Sequence, residues 1–287
     1  MSLSASPKSP PSSPPDQDPA ARILAELHKV LQAAEPDGLK IRRLWVTQAY
    51  IRGTILATLL RNTIGPHVYS GPFRGMELTQ AVMSGAYGPA LTGLYEHELH
   101  ATFERVIAHP YKNILNIGCA FGYYSVGLAQ RMPDVKMHSF DIKPFEQQRC
   151  RDMAILNKVQ DRVRIGGEFR GEDFASYASE ETLVLMDIEG AEMNLLSPTR
   201  YEALARMDII VELHDILVPG ISKTVCERFA ATHEIEIIHN KPTLFDFEAV
   251  TGPGVYMDPF DSLIITWESR DGPTPWGVMR ARQRPGS

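Results

Sequence analysis

A chain of 287 residues, 44% apolar and 22% charged, is long enough and mixed enough to bury a full core, as one large domain or as one domain with an added segment. Its formal net charge of -6 and pI near 5.9 exclude broad affinity for nucleic acid or anionic membranes, which requires clustered positive charge. Cys119, Cys150 and Cys226 lie far apart, with no CxxC pair and no Cys/His metal spacing, so neither a disulfide framework nor a zinc site is expected, and a reducing cytoplasm fits.

The first 20 residues, "MSLSASPKSPPSSPPDQDPA", are Ser- and Pro-rich and nearly empty of large apolar side chains. They cannot offset their ordering entropy and are expected to be disordered, and they lack the apolar centre of a secretory signal. Residues 21–110 read mostly as helices. "ARILAELHKVLQAA" places Ile23, Leu24, Leu27, Val30 and Leu31 at helical spacing. The apolar stretch 41–64 is interrupted by Arg42, Arg43, Arg52 and Arg61, which argues against a membrane span. With Leu44, Trp45, Ile55, Leu59 and Leu60, the segment 41–93 carries more apolar surface than a short appendage buries alone. It is expected to cover one side of a cleft, to pair with a second subunit as a homodimer, or both. "YSGPFRGMEL" has the glycines and proline of a turn or short hairpin. In "LYEHELHATFERVIA", Tyr95, Leu99, Phe103 and Val106 define a helix face with Glu96 at its margin and Glu98 pointing away.

From Tyr111 the pattern changes to short strands alternating with helices. Strands are expected over 113–117, 136–140, 162–165, 183–186, 209–213, 234–238 and 263–267, and helices over 123–131, 144–157, 191–205 and 222–232. Such alternation implies a parallel, doubly wound sheet. Residues 240–261 are too irregular for a crossover helix, so the seventh strand is expected to run antiparallel beside the sixth. The remainder, 271–287, reads as a tail.

The first strand runs into "NIGCAFGYYSVGLA". A dinucleotide fingerprint needs two further glycines after Gly118, where the chain has Ala120 and Tyr123, and no GxxxxGK[ST] occurs. What remains is a turn with room for a ligand but no anion cradle. Asp141 follows about 20 residues later at the end of the second strand, where a carboxylate accepts from both hydroxyls of a ribose. A nucleoside without a need for phosphate fits this, and S-adenosylmethionine (SAM) is such a ligand. Glu96 at its helix margin would meet the cationic amino group of SAM. The plain alternatives are a tight strand-to-helix turn, an Asp that merely ends a strand, a Cys119 that fills space, and a Glu96 on the solvated flank of an ordinary helix.

Together with the later "VLMDIEGAEMNLL" and "IIVELHD", this stretch resembles the FkbM-type branch of class I SAM-dependent methyltransferases, in which these motifs occur in the same order. The resemblance covers 111–239, and "GLYEHEL" just upstream resembles a segment of some members. It implies an α/β fold: a Rossmann-like three-layer α/β/α sandwich with a seven-stranded, mostly parallel sheet and an antiparallel edge strand, over 111–270. It also implies that Gly118, Cys119, Ala120 and Gly122 line the methionine and ribose, that Asp141 holds the ribose and that Ile142 packs on adenine. Glu168 or Phe169 would border the adenine edge, and Asp187 would sit at the sulfonium. Asn116 departs from the usual Asp of the family, leaving an amide that can still donate or accept.

Asp187, Glu189, Glu212, His214 and Asp215 stand at the ends of two neighbouring strands and are expected to meet in one crevice. Asp187 and Asp215, with Glu212 or His214, would hold a divalent metal such as magnesium that acidifies an acceptor hydroxyl. Alternatively His214 takes the proton itself; this metal-free or metal-optional base is the preferred reading. Glu189 and Glu192 also fit a simpler role in the first turn of a helix, where the dipole favours carboxylates. The sequence is thus read as a SAM-dependent methyltransferase, acting on a hydroxyl of a small-molecule or sugar-like acceptor. The alternatives are an NAD-type Rossmann oxidoreductase and a non-catalytic SAM-binding module.

Overall fold

The structure is a computed structural model that describes residues 19–33, 36–79, 86–252, 257–270 and 272–285. The expectation of a disordered tail over 1–20 lies outside them, apart from the last two residues. Two compact units divide the chain, Met1–Arg52 and Gly53–Ser287. In the first, α1 spans Pro19–Gln32 and α2 begins; α2 runs over Asp37–Ile64 and so continues into the second. Trp45 on α2 is 72% exposed. No helix among the described residues is long and apolar enough to cross a membrane.

Within the second unit α2 buries Leu56, Ala57 and Leu60, and it ends where Gly65 turns left-handed (φ 86°) and Pro66 cannot continue a helix. The expected hairpin follows. The Val68 amide donates to the Met76 carbonyl and the Gly75 amide to the Val68 carbonyl, each at 2.8 Å, beside an antiparallel bridge between His67 and Glu77. Helix α3 covers Tyr87–Thr92 and α4 covers His100–Ala108. The helix expected across "LYEHELHATFERVIA" starts late because Glu96 adopts a left-handed conformation (φ 46°), which no continuous helix accommodates.

The sheet is built from β1 (Asn113–Ile117), β2 (Lys136–Phe140), β3 (Val163–Gly166), β4 (Thr182–Met186), β5 (Asp208–Glu212), β6 (His233–Ile238) and β7 (Trp276–Ala281), in the order β3-β2-β1-β4-β5-β7-β6. Strands β1 to β5 pair in parallel, while β7 lies between β5 and β6 and is antiparallel to both. The expected antiparallel pair at that end is therefore present, with β6 outermost. Helices α5 (Tyr123–Arg131), α6 (Pro144–Leu156), α7 (Glu192–Leu195), α8 (Ile221–Phe229), α9 (Glu248–Thr251) and α10 (Pro259–Ile264) complete the unit. Alternation along the strands splits the core in two. Ile114, Leu183, Leu185 and Ile210 enter one cluster; Leu115, Val184, Met186 and Val211 enter the other, as a sheet covered on both faces requires.

Two expectations about elements are corrected. The seventh strand is not 263–267: Asp258 caps a helix there, its side chain accepting the Phe260 amide at 2.8 Å with Pro259 at the first position, so α10 takes the first residues of the apolar run. The strand is Trp276–Ala281, within the stretch read as a tail. The helix expected over 191–205 is only α7, because Pro198 lacks an amide donor and restricts Ser197, and a short 3-10 turn, Glu202–Arg206, replaces the rest.

Candidate functional site

The register of the parallel strands lines up the site. Ile117 lies opposite both Phe140 and Met186, and Met186 opposite Val211. One residue further on, Asp141, Gly118, Asp187 and Glu212 thus form a row along the carboxyl edge of β2, β1, β4 and β5, where open α/β sheets bind ligands. Three gaps between strands make that row about 14 Å long, enough for a nucleoside joined to an amino acid.

The turn after β1 is closely constrained. A Cβ on Gly118 would stand 1.7 Å from the Asp187 carbonyl oxygen, and its φ of 87° is left-handed. Gly122, also left-handed at 90°, opens α5 with Cys150 packed against it. Ala120 is left-handed too (φ 43°), and its amide donates to Asp141 at 3.0 Å. The other Asp141 oxygen accepts the Lys143 amide at 2.8 Å. The carboxylate is thereby fixed beside the turn. Next to it Ile142 is 73% exposed, an apolar surface beside a hydrogen-bond acceptor. Glu168 is exposed as well, whereas Phe169 is core: its ring packs on Phe140 at 4.9 Å and on Phe174 at 4.8 Å. Of those two residues, Glu168 is the one left at the surface. Cys119 is buried, its thiol pushed up by the neighbouring Cys150 and by burial, as a space-filler rather than a nucleophile. Asn116 is also buried, donating to Ser125 at 2.8 Å, and Ser139 donates to the same hydroxyl at 2.8 Å.

At the other end of the row carboxylates crowd together. His214 is buried, with Nδ1 2.8 Å from Glu192 Oε1 and Nε2 3.3 Å from Glu212, 3.6 Å from Asp187 and 3.8 Å from Glu189. Burial alone would lower its pKa, but the bonds to Glu192 and Glu212 raise it to about 10. The surrounding carboxylates thus favour the protonated imidazole, which weighs against the metal-free base preferred from the sequence. Burial would lift Glu212, yet His214 and Arg270 hold its carboxyl down to about 2. Asp187 goes the other way, well above the carboxylate range, through desolvation and the adjacent Glu212. Its Oδ1 is buried with no hydrogen-bond partner among the described residues.

Asp187, Glu212 and His214 each offer one ligand atom, all within 4.8 Å of one another. Two hard carboxylate oxygens and an imidazole nitrogen, with Asp187 lacking a partner for one oxygen among the described residues, fit a divalent cation. Asp215 is not part of this set. It accepts the amides of Gly220 at 3.1 Å and Ser222 at 3.4 Å and the Ser222 hydroxyl, closing the loop that leads into α8.

Glu192, Glu268 and Arg270 carried no signal for this site in the sequence, whereas Glu96 did. Glu192, fully buried, accepts the Ile188 and Gly190 amides at 3.2 Å each while holding His214, a role hidden behind its ordinary place in a first helical turn. Glu96 is not on a solvated flank: it is 1% exposed, takes the Tyr124 hydroxyl on one oxygen and is bound by Arg270 at 2.6 Å on the other. Burial and Glu212 push its pKa up, and Arg270 opposes them. Tyr95 borders the same crevice, its hydroxyl raised by burial and by Glu96 and Asp187. Arg270 and Glu268 come from "WESRDGPTPW", which no spacing rule connects to strands four and five.

No family model matches the chain, and no curated protein matches it in sequence. Solved structures do match. The O-methyltransferase TomG from Streptomyces achromogenes, in complex with SAM, is similar at 13% identity and a TM-score of 0.43, over 72% of this chain and 92% of that one. An O-methyltransferase from Bacillus cereus in complex with SAH is similar at 11% and 0.40, over 90% and 97%. Human methyltransferase 10 domain containing protein is similar at 8% and 0.45, over 83% and 98%. It is the strand order, with β7 reversed between β5 and β6, that makes this the Rossmann-like sheet of class I methyltransferases, as the resemblance implied.

Proposed function

We propose that the chain is a SAM-dependent methyltransferase of the FkbM-like kind that methylates an oxygen of a small hydroxyl-bearing acceptor, with a divalent cation at Asp187, Glu212 and His214. The observation that carries this is the row at the carboxyl edge: a fixed Asp141 beside exposed Ile142 at one end, and a carboxylate-rich crevice at the other. Among the described residues, Glu96, Asp187, Glu189, Glu192, Glu212 and Glu268 crowd around Arg270 and His214. Such a crevice favours the sulfonium and ammonium of SAM and a metal ion, and it repels the pyrophosphate of a dinucleotide. That weighs against an oxidoreductase.

In this reading Asp141 accepts from the ribose hydroxyls and Ile142 covers adenine, while the turn from Gly118 to Gly122 lies along the rest of the cofactor. SAM supplies an activated methyl group with its own leaving group, and the chain supplies position. A cation at the triad would polarise the acceptor oxygen and ease loss of its proton. Glu192 keeps the His214 ring oriented by holding Nδ1, leaving Nε2 turned toward Asp187 and Glu212.

The test is calorimetry with SAM, S-adenosylhomocysteine (SAH) and NAD, with and without manganese, followed by labelled SAM and an extract of the source cells. Binding of SAH but not NAD, and a metal-dependent methylated product, are expected. Binding of NAD alone would refute the reading, and SAH binding without any methylated product would favour a non-catalytic module.

A further inference from the structure

Arg270 occupies an unusual position in the crevice. Its Nε donates to Glu268 at 2.7 Å, Nη2 to Glu96 at 2.6 Å, and Nη1 to both Glu212 and Thr274. Glu96 and Glu212 are buried, and Glu268 closes the group by accepting the Glu96 amide at 2.6 Å. The connections continue outward in both directions. On one side Glu96 accepts from Tyr124, in the first turn of α5 beyond the glycine turn. On the other, Glu212 gives Oε1 to Arg270 and keeps Oε2 toward His214 Nε2, in the proposed cation triad.

We propose that Arg270 is a positioning residue that couples the cofactor side of the crevice to the cation side, by holding Glu96 and Glu212 in one fork so that order at either end favours order at the other. This rests on the function proposed above. A guanidinium suits the task because its planar donors meet several carboxylates in fixed directions; an ammonium is a point charge and cannot hold the same set at once. By fixing Glu212 through Oε1, Arg270 decides which oxygen faces the cation. By fixing Glu96, it also sets the Tyr124 contact against the helix that follows the cofactor turn.

The coupling is measurable as the ratio of manganese dissociation constants without and with saturating SAH, read by calorimetry or by the paramagnetic resonance of free manganese. In the wild type SAH should tighten manganese about fivefold or more, and manganese should tighten SAH by the same factor. Arg270→Lys keeps the charge and removes the fork. It should bring the ratio close to one while SAH affinity alone stays within about threefold, because Asp141 and the glycine turn are untouched. A merely structural arginine would change melting temperature without changing that ratio. Should Arg270→Lys fail to fold, Thr274→Val preserves every charge and removes one Nη1 partner, and it should lower the ratio at least about twofold. Independent binding of SAH and manganese to the wild type, or wild-type coupling retained in these variants, would overturn the proposal. Wild-type protein that binds neither SAH nor manganese would instead overturn the functional reading itself.

Discussion

Replacing Asp141 tests the cofactor end of the site most directly. Its carboxylate accepts the Ala120 amide at 3.0 Å and the Lys143 amide at 2.8 Å, which leaves lone pairs on both oxygens for the two ribose hydroxyls. A hydrogen bond to a charged acceptor contributes about 1.5–3 kcal/mol. Asp141 is only half-buried, so the lower end applies, and two such bonds give about 3 kcal/mol. Asp141→Ala should therefore weaken SAH roughly 100-fold by calorimetry. Asp141→Asn keeps one acceptor oxygen and should cost roughly tenfold. Losing the two backbone contacts should lower the melting temperature by only about 2–4 °C, since both amides can turn to water. Alanine and wild-type proteins with equal SAH affinity would remove Asp141 from the site and with it the register argument.

Gly118→Ala should abolish soluble expression or lower the melting temperature steeply, because the new methyl would lie 1.7 Å from the Asp187 carbonyl oxygen on a left-handed backbone; a protein melting like the wild type would refute that close approach. Glu192→Gln should weaken manganese roughly 10- to 100-fold while leaving SAH affinity alone, as expected for the partner that orients a ligating imidazole. Chelator should remove turnover and magnesium or manganese should restore it, and full turnover by metal-stripped protein would exclude the triad as a required cation site. In chelated protein, Glu212, held down to about 2, contributes stability present above its ordinary 4.5 and lost as pH falls toward 2, while His214, raised to about 10, contributes stability present below its ordinary 6.5 and lost as pH rises through 10. Melting temperature should thus fall on both limbs, and Glu192→Gln should flatten the alkaline one.

The fold was legible where short-range patterns decide it. Apolar runs bounded by turns marked β1 to β5, and the glycine turn and Asp141 stand at the strand ends where that pattern puts them. The seventh strand was not, because "LIITW" has strand composition and "WGVMRA" does not advertise itself. Yet the capping sequence Asp258-Pro259-Phe260-Asp261 was there to be read as a helix start, and a local signal of that kind outweighs β-branched composition. Likewise Pro198 was visible inside the helix expected over 191–205, and a proline there ends a helix whatever the apolar spacing around it.

The carboxylate-rich end of the row could not be read the same way, and the reason is electrostatic. Whether His214 acts as a base or as a ligand depends on its neighbours in space: Glu192, which looked like an ordinary first-turn residue, and Glu212, itself held by an arginine 58 residues further along the chain. An isolated imidazole beside one carboxylate can serve as a base, whereas carboxylates on both nitrogens favour its protonated form. The difference lies in packing across β4, β5 and the loop before β7, and residue types in "VELHD" are the same in both cases. Asp215 shows the converse: adjacent in sequence to His214, it turns away to hold the loop into α8. Sequence proximity therefore set Asp215 beside His214 and concealed Glu192 and Arg270, and only the register that sets Asp187 level with Glu212 separates the cluster of Asp187, Glu212 and His214 from the loop cap.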